Sequence, residues 1–191
     1  MINRNGNLYT LLYALILAAF VAGVLAWVST SLAPRRKANE EAAKLSCIRS
    51  AAGMYEASVD SLEKEGLKVF RAVEGEDTVY VLPCSGEGLW GPIWGYVALE
   101  PDTCLVRGVS FAHKSETPAL GGRIGDNSFG ALFGGRVFDA SLAGTGVDAL
   151  SGATMTGRGV EEMIRQCVDR YAPRFDSTGH FVFDFEEDDQ L

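Results

Sequence analysis

The sequence predicts an α+β protein, with a single N-terminal transmembrane helix ahead of one domain built from a mainly antiparallel sheet and flanking helices. Three observations lead there. Between Arg4 and Arg35 no residue carries a charge, thirty positions in a row. Three later runs, Thr78–Leu82, Ile93–Leu99 and Leu105–Ala112, are rich in β-branched and aromatic residues and are set apart by Gly, Pro and Asp. Near the C-terminus Val160, Met163, Ile164, Cys167, Val168 and Tyr171 recur at three- and four-residue spacing, which makes one apolar helix face.

Leu11–Val28 is apolar apart from Gly23. As a helix at 1.5 Å per residue this stretch spans about 27 Å, close to the hydrocarbon thickness of a bilayer. Tyr9 and Trp27 suit the two interfaces. A cleavable signal peptide is the rival reading, with Ser31-Leu32-Ala33 resembling a cleavage site, but its apolar region runs only about 7–15 residues. An uncleaved anchor in membrane lipid is therefore the expectation. No ionisable side chain lies between Asn5 and Pro34, so this helix has nothing with which to relay a cation. Its flanks carry Arg4 on one side and Arg35, Arg36, Lys37, Lys44 and Arg49 on the other. Taken alone, that bias puts the domain in the cytoplasm.

Beyond residue 33 remain 158 residues, enough for one domain, with 25 acidic against 16 basic side chains. A formal charge of −9 for that part argues against nucleic acid as a partner, which requires a basic face. From Arg35 to Tyr55, Ala38, Ala42, Leu45, Ile48, Ala52 and Tyr55 read as an amphipathic helix with Pro34 in its first turn. The predicted organisation is residues 1–33 as the N-terminal anchor segment, 34–77 as a membrane-proximal helical region, 78–175 as the domain core, and 176–191 as a strand-like segment and acidic tail. Within the core, a turn around Glu100–Thr103 joins the last two strands and a short helix occupies Ser128–Phe133. Glu161 and Glu162 suit the first turn of the final helix, and Pro173 ends it. Phe181, Phe183 and Phe185 alternate like a strand, and the four acids from Glu186 to Asp189 read as solvated.

Cys47, Cys84, Cys104 and Cys167 have no metal-ligand spacing, so no metal site is expected. Cys84 and Cys104 flank neighbouring strands and are the candidate pair in an oxidising compartment. Cys47 and Cys167 read as small buried hydrophobes or membrane-proximal thiols. No set of nucleophile, base and oxyanion donors appears, so no catalytic residue of independent hydrolytic chemistry is expected either.

Eleven of the 22 glycines fall between Gly121 and Gly159, which signals tight turns or backbone brought close to a ligand. The stretch Asp148–Gly159 runs directly into the final helix. It places the hydroxyls of Ser151, Thr154 and Thr156, with free backbone N–H groups, at a helix N-terminus, where an anionic phosphate is favoured. The plainer reading makes Thr156 a helix cap. No Walker loop and no dinucleotide fingerprint is present, which points to a mononucleotide held some other way.

Ser151-Gly-Ala-Thr-Met-Thr156 resembles the S/T-G-A-T-x-T flavinylation motif of the FMN-binding domain family, in which the last threonine is esterified to the FMN phosphate. Gly86-Glu-Gly-Leu-Trp-Gly-Pro-Ile-Trp-Gly-Tyr-Val-Ala-Leu-Glu100 and His113-Lys-Ser-Glu-Thr-Pro-Ala-Leu-Gly121 are similar to segments of the C-subunit family of sodium-translocating NADH:quinone oxidoreductases. The Glu-Thr-Pro-x-Leu-Gly part is shared with the homologous G-type subunit of the related ferredoxin:NAD electron-transport complex, while the Gly-Leu-Trp-Gly-Pro run favours the sodium pump. The resemblance covers the anchor and about residues 78–171. Ala119 and Ser115 stand where the family more often has glycine, and a position needing positive φ resists alanine.

The resemblance implies FMN as cofactor, covalently attached as a phosphoester to Thr156, with Ser151, Gly152, Ala153, Thr154 and Gly121 around it. Leu89, Trp90, Trp94 and Leu120 are the candidate apolar walls for the flavin ring, core packing being the competing reading for the tryptophans. Glu116 and Thr117 are candidates to hydrogen-bond the phosphoribityl chain or the ring. Arg158 is as readily solvated as engaged, His113 and Lys114 are weaker candidates, and a lone histidine ending a strand reads as structural. The resemblance further implies a redox subunit, not an enzyme on its own, that relays electrons from NADH toward quinone while sodium is pumped. The implied partners are the other subunits of that membrane complex and a flavin transferase using FAD and a divalent metal. The implied location is the bacterial inner membrane, single-pass, with the FMN domain on the periplasmic side, against the local charge count. The ferredoxin-linked subunit is the alternative, and a flavin-free anchored interaction module is the reading from a different class.

Overall fold

The computed structural model describes residues 7–175 except 65, 102 and 146–149. The chain divides into two units, one ending at Ala43 and one beginning at Lys44.

Helix α1 runs over Asn7–Ala52. It is long and apolar enough to cross a membrane by length and composition. Every side chain from Leu8 to Ala43 is exposed, including Leu12, Leu15, Ile16, Phe20 and Trp27. An apolar surface of that extent is stable only against lipid or another protein. Pro34 does not open a second helix as its position suggested; it lies inside α1. Proline removes one intrahelical hydrogen bond, but the Ala, Leu, Arg, Lys and Glu residues on either side are strong helix formers, and the helix continues through it.

The second unit is a five-stranded antiparallel meander in sequence order: β1 (Ser58–Lys64), β2 (Leu67–Glu74), β3 (Asp77–Glu87), β4 (Pro92–Leu99) and β5 (Val106–His113). The three strands expected from composition are β3, β4 and β5. The first two occupy sequence expected to belong to a helical region. Lys64 pairs with Leu67 and Glu74 with Asp77, so both leading hairpins close through two-residue turns. Each turn holds a glycine with positive φ, Gly66 at 76° and Gly75 at 66°, the residue that such turns select.

Alternation along the strands gives the sheet two different faces. Val69, Leu82, Cys84, Ile93, Val97, Leu99, Val109 and Phe111 face one side. That side is covered by α2 (Asn127–Gly130), by short 3-10 turns at Gly121–Gly125 and Ala140–Gly144, and by α3 (Thr154–Tyr171). Phe111, Phe129 and Phe133 stack there with ring centroids 5.2–5.7 Å apart. Phe70, Ala72, Val79, Val81, Tyr96 and Ala98 face the other side, against Ile48, Ala51, Ala52 and Met54 at the end of α1 and just beyond. The final helix buries its apolar stripe as expected and is followed by a turn at Ala172–Arg174 containing Pro173, but it begins at Thr154, so Glu161 and Glu162 lie beyond its first turn, which holds no acidic residue.

Cys84 pairs with Cys167, tying β3 to α3 across 83 residues of sequence with Cα atoms 5.5 Å apart. Cys104, the partner the sequence offered for Cys84, lies beyond the far end of β4, whereas Cys84 stands opposite Gly95 and faces α3. Cys167, read from sequence as a small hydrophobe, is thus a disulfide cysteine. The strand-like segment at Phe181–Phe185 and the acidic tail lie outside the described residues.

Candidate functional site

The last strand delivers the chain to a loop, residues 114–120, that crosses the N-terminal end of α3. Leu120 and Gly122 both donate backbone N–H groups to Thr117 O, which folds the loop into a tight bend. At its tip Ala119 has φ 64°, the positive value that a family glycine would take without strain. Gly121 then passes so close to α3 that a side chain there would meet Glu116 Oε2 and, at 2.5 Å, Thr156 Oγ1. Glycine at 121 is required by this approach.

At the centre lies one hydrogen bond: the Thr156 hydroxyl donates to Glu116 Oε2 at 2.7 Å. Its two residues are 40 apart in sequence and are 1% and 4% exposed, respectively. The other carboxylate oxygen, Oε1, accepts from the Trp90 backbone N–H at 2.8 Å. Gly88 packs against that same oxygen and against Ile93, leaving no room for a side chain. Glu116 is therefore a buried carboxylate with both oxygens engaged by donors from two other segments.

Thr156 is the third residue of α3 and not its cap. The N-cap is Ala153, and no side chain caps this helix end. The Ala153 carbonyl accepts the first intrahelical bond, from Gly157 N–H. The N–H groups of Thr154, Met155 and Thr156 precede that bond, so they have no intrahelical acceptor and point out of the helix end. Ser151, Gly152 and Thr154 surround this end and are exposed. Gly152 has φ 79° and packs on Leu120. Leu89, Trp90, Leu120 and Met155 present exposed apolar side chains, Trp90 with 66% of its surface free.

The structure thus joins the Glu-Thr-Pro loop, the Gly-Leu-Trp turn and the start of α3, the three motifs singled out in the sequence. Thr117 contributes its carbonyl to the bend, while its side chain is exposed. Trp94 is not brought to the pair. It sits on the opposite face of the sheet, packed against the core cluster of Ile48 and Tyr96, because its neighbour Ile93 takes the face toward α3. Gly88 and Met155 were missed. The glycine run 86–91 carried a signal for the first, and the motif's variable position hid the second. Among the described residues no group of three or more His, Cys, Asp or Glu is placed to hold a metal ion.

Residues 88–169, from the Gly-Leu-Trp turn to the body of α3, match the family described as FMN-binding domain. This segment is similar to FMN-binding domains. The matched span contains Glu116, Gly121 and Thr156. Curated relatives include the Na(+)-translocating NADH-quinone reductase C subunit of Neisseria meningitidis serogroup A, 39% identical over 106 residues, or 47% of this chain and 41% of that protein. The protein of the same name from Pseudomonas aeruginosa is 30% identical over 126 residues, covering 56% of this chain and 48% of its own length. The chain therefore spans less than half the length of these two relatives. A crystal structure of the corresponding C subunit from Parabacteroides distasonis superposes with a TM-score of 0.63 at 24% identity, covering 74% of this chain and 95% of that one. That likeness shows a shared fold.

The residues present fit an FMN. The uncapped N–H groups at the start of α3 suit a phosphate, and the exposed apolar side chains of Leu89, Trp90, Leu120 and Met155 suit a flat ring.

Proposed function

We propose that this protein is a membrane-anchored electron carrier whose FMN is joined through its phosphate to Thr156. It acts as a redox subunit of a sodium-pumping NADH:quinone reductase and relays electrons from NADH toward quinone. The observation that carries this reading is the Thr156 hydroxyl itself, buried at an uncapped helix N-terminus inside the FMN-binding domain and at the last position of Ser-Gly-Ala-Thr-Met-Thr. The flavin supplies the redox chemistry. The chain attaches it, orients it and sets its surroundings: α3 offers N–H donors to the phosphate, and Leu89, Trp90, Leu120 and Met155 supply apolar walls. The role within a larger complex is drawn from the names of the relatives.

Two features support an anchored domain outside the cytoplasm. The exposed apolar helix α1 suits a bilayer span with no Asp, Glu, Lys, Arg or His between Asn5 and Pro34, so sodium crosses through other subunits. The Cys84–Cys167 disulfide belongs to an oxidising compartment, which weighs against the Arg and Lys residues that follow the span.

The reading is tested by co-expressing the full chain with a flavin transferase, denaturing it, and viewing the gel for flavin fluorescence. A bright wild-type band and a dark Thr156→Ala band are expected. A dark wild-type band contradicts the attachment.

A further inference from the structure

We propose that Glu116 is the base for the chain's own modification, taking the proton from Thr156 as the phosphoester forms. The inference rests on attachment at Thr156 and assigns to this chain, and not to the transferase alone, a group that acts in the transfer.

A threonine hydroxyl is a weak nucleophile and reacts when an adjacent base within about 2.6–3.2 Å receives its proton. Glu116 Oε2 lies 2.7 Å from Thr156 Oγ1, with the hydroxyl already donating toward it. A working base is itself held by a third group. Here the Trp90 backbone N–H holds Oε1 at 2.8 Å, so the carboxylate keeps its aim when its other oxygen changes partner. Gly121 leaves the Thr156 and Glu116 oxygens uncovered by any side chain of its own.

The hydroxyl lies beneath the 117–121 bend, so this bend moves aside before a phosphorus atom reaches it. Glu116 need not follow, because its tie to Trp90 lies outside the moving part. The donor is a flavin dinucleotide. Thr156 Oγ bonds to the phosphorus on the riboflavin side of the pyrophosphate, and the bond from that phosphorus to the adenylate oxygen breaks. AMP leaves with the electron pair, and the Thr156 proton passes to Glu116. Nothing is oxidised or reduced. Afterwards the ester oxygen carries no hydrogen, and the Glu116–Thr156 bond cannot re-form.

Glu116→Gln separates this role from a structural one. The glutamine carbonyl can keep the Trp90 N–H and its amide can donate to Thr156 Oγ, so the bend is retained and the proton acceptor is lost. The test uses the full chain in detergent with purified transferase, FAD and Mg²⁺, following initial rates of covalent flavin incorporation by gel fluorescence and intact mass. Glu116→Gln is expected to unfold at the wild-type denaturant midpoint yet incorporate flavin at least ~100-fold more slowly, the usual contribution of a general base. Incorporation at the wild-type rate overturns the proposal and leaves attachment at Thr156 standing. Label retained in Thr156→Ala overturns the attachment reading instead. Should glutamine disturb folding, Glu116→Ala is assayed with added formate: a rate that rises with formate supports the base, and a folded variant that formate does not rescue overturns it.

Discussion

The two ends of α3 are built on opposite plans. At its C-terminal end the helix is fastened: Cys167 is bonded to Cys84, the Tyr171 hydroxyl donates to Lys68 O at 2.8 Å, and Met163, Ile164 and Val168 are buried against the sheet. At its N-terminal end it has no side-chain cap, and the polar link across it is the Thr156–Glu116 hydrogen bond. The fastened end fixes where the helix lies. The open end leaves N–H groups without a side-chain cap and holds a hydroxyl beneath the bend that ends at Gly121.

Stability should suffer most from changes on the fastened side. Replacing both disulfide cysteines, Cys84→Ser with Cys167→Ser, removes a crosslink over 83 residues. By chain entropy this costs roughly 4–5 kcal/mol. Urea unfolding should show it, and reductant should reproduce it in the wild type while leaving the double variant unchanged.

A smaller effect is expected at the open end from Gly121→Ala. Its methyl group would press on Thr156 Oγ1 and Glu116 Oε2. Overpacking of this kind costs about 1–3 kcal/mol. It should also slow covalent flavin incorporation, which replacing the disulfide at the distant end should affect far less.

Tyr171→Phe loosens the fastened end by about 1 kcal/mol, the worth of one hydrogen bond. Burial holds the Tyr171 phenol above its ordinary 10.0, with Arg170 partly opposing. A raised value means that the fold prefers the neutral phenol, so its stabilisation is complete below the ordinary value and fades as pH rises past it. Unfolding midpoints from neutral to strongly alkaline pH should fall less steeply for Tyr171→Phe than for wild type. The smallest change is a gain. Ala119→Gly relieves a residue at φ 64° and should add about 0.5–1 kcal/mol, the left-handed strain less the entropy glycine adds to the unfolded chain.

What was legible in the sequence follows the same division. Strands β3–β5 and helix α3 announce themselves because buried faces impose a period on their apolar residues. The two leading hairpins are hidden because β1 is an edge strand rich in polar and charged residues, and the turn glycines at 66 and 75 are their clearest signal. Trp94 was misplaced by parity: adjacent residues of a strand point to opposite faces, and composition does not say which face meets the helix. The motifs brought Glu116 and Thr156 into one site, but their mutual bond and the Cys84–Cys167 pairing join segments 40 and 83 residues apart. Such contacts are set by the packing of α3 on the sheet, which no local pattern encodes.

Whether the open end of α3 carries the flavin on one particular oxygen is tested most directly by mass spectrometry of peptides from the chain matured with a flavin transferase. The expected result is an FMN phosphoester on the peptide containing Thr156, with fragment ions that localise it to that residue. An unmodified Thr156, with flavin on another residue or on none, would contradict it.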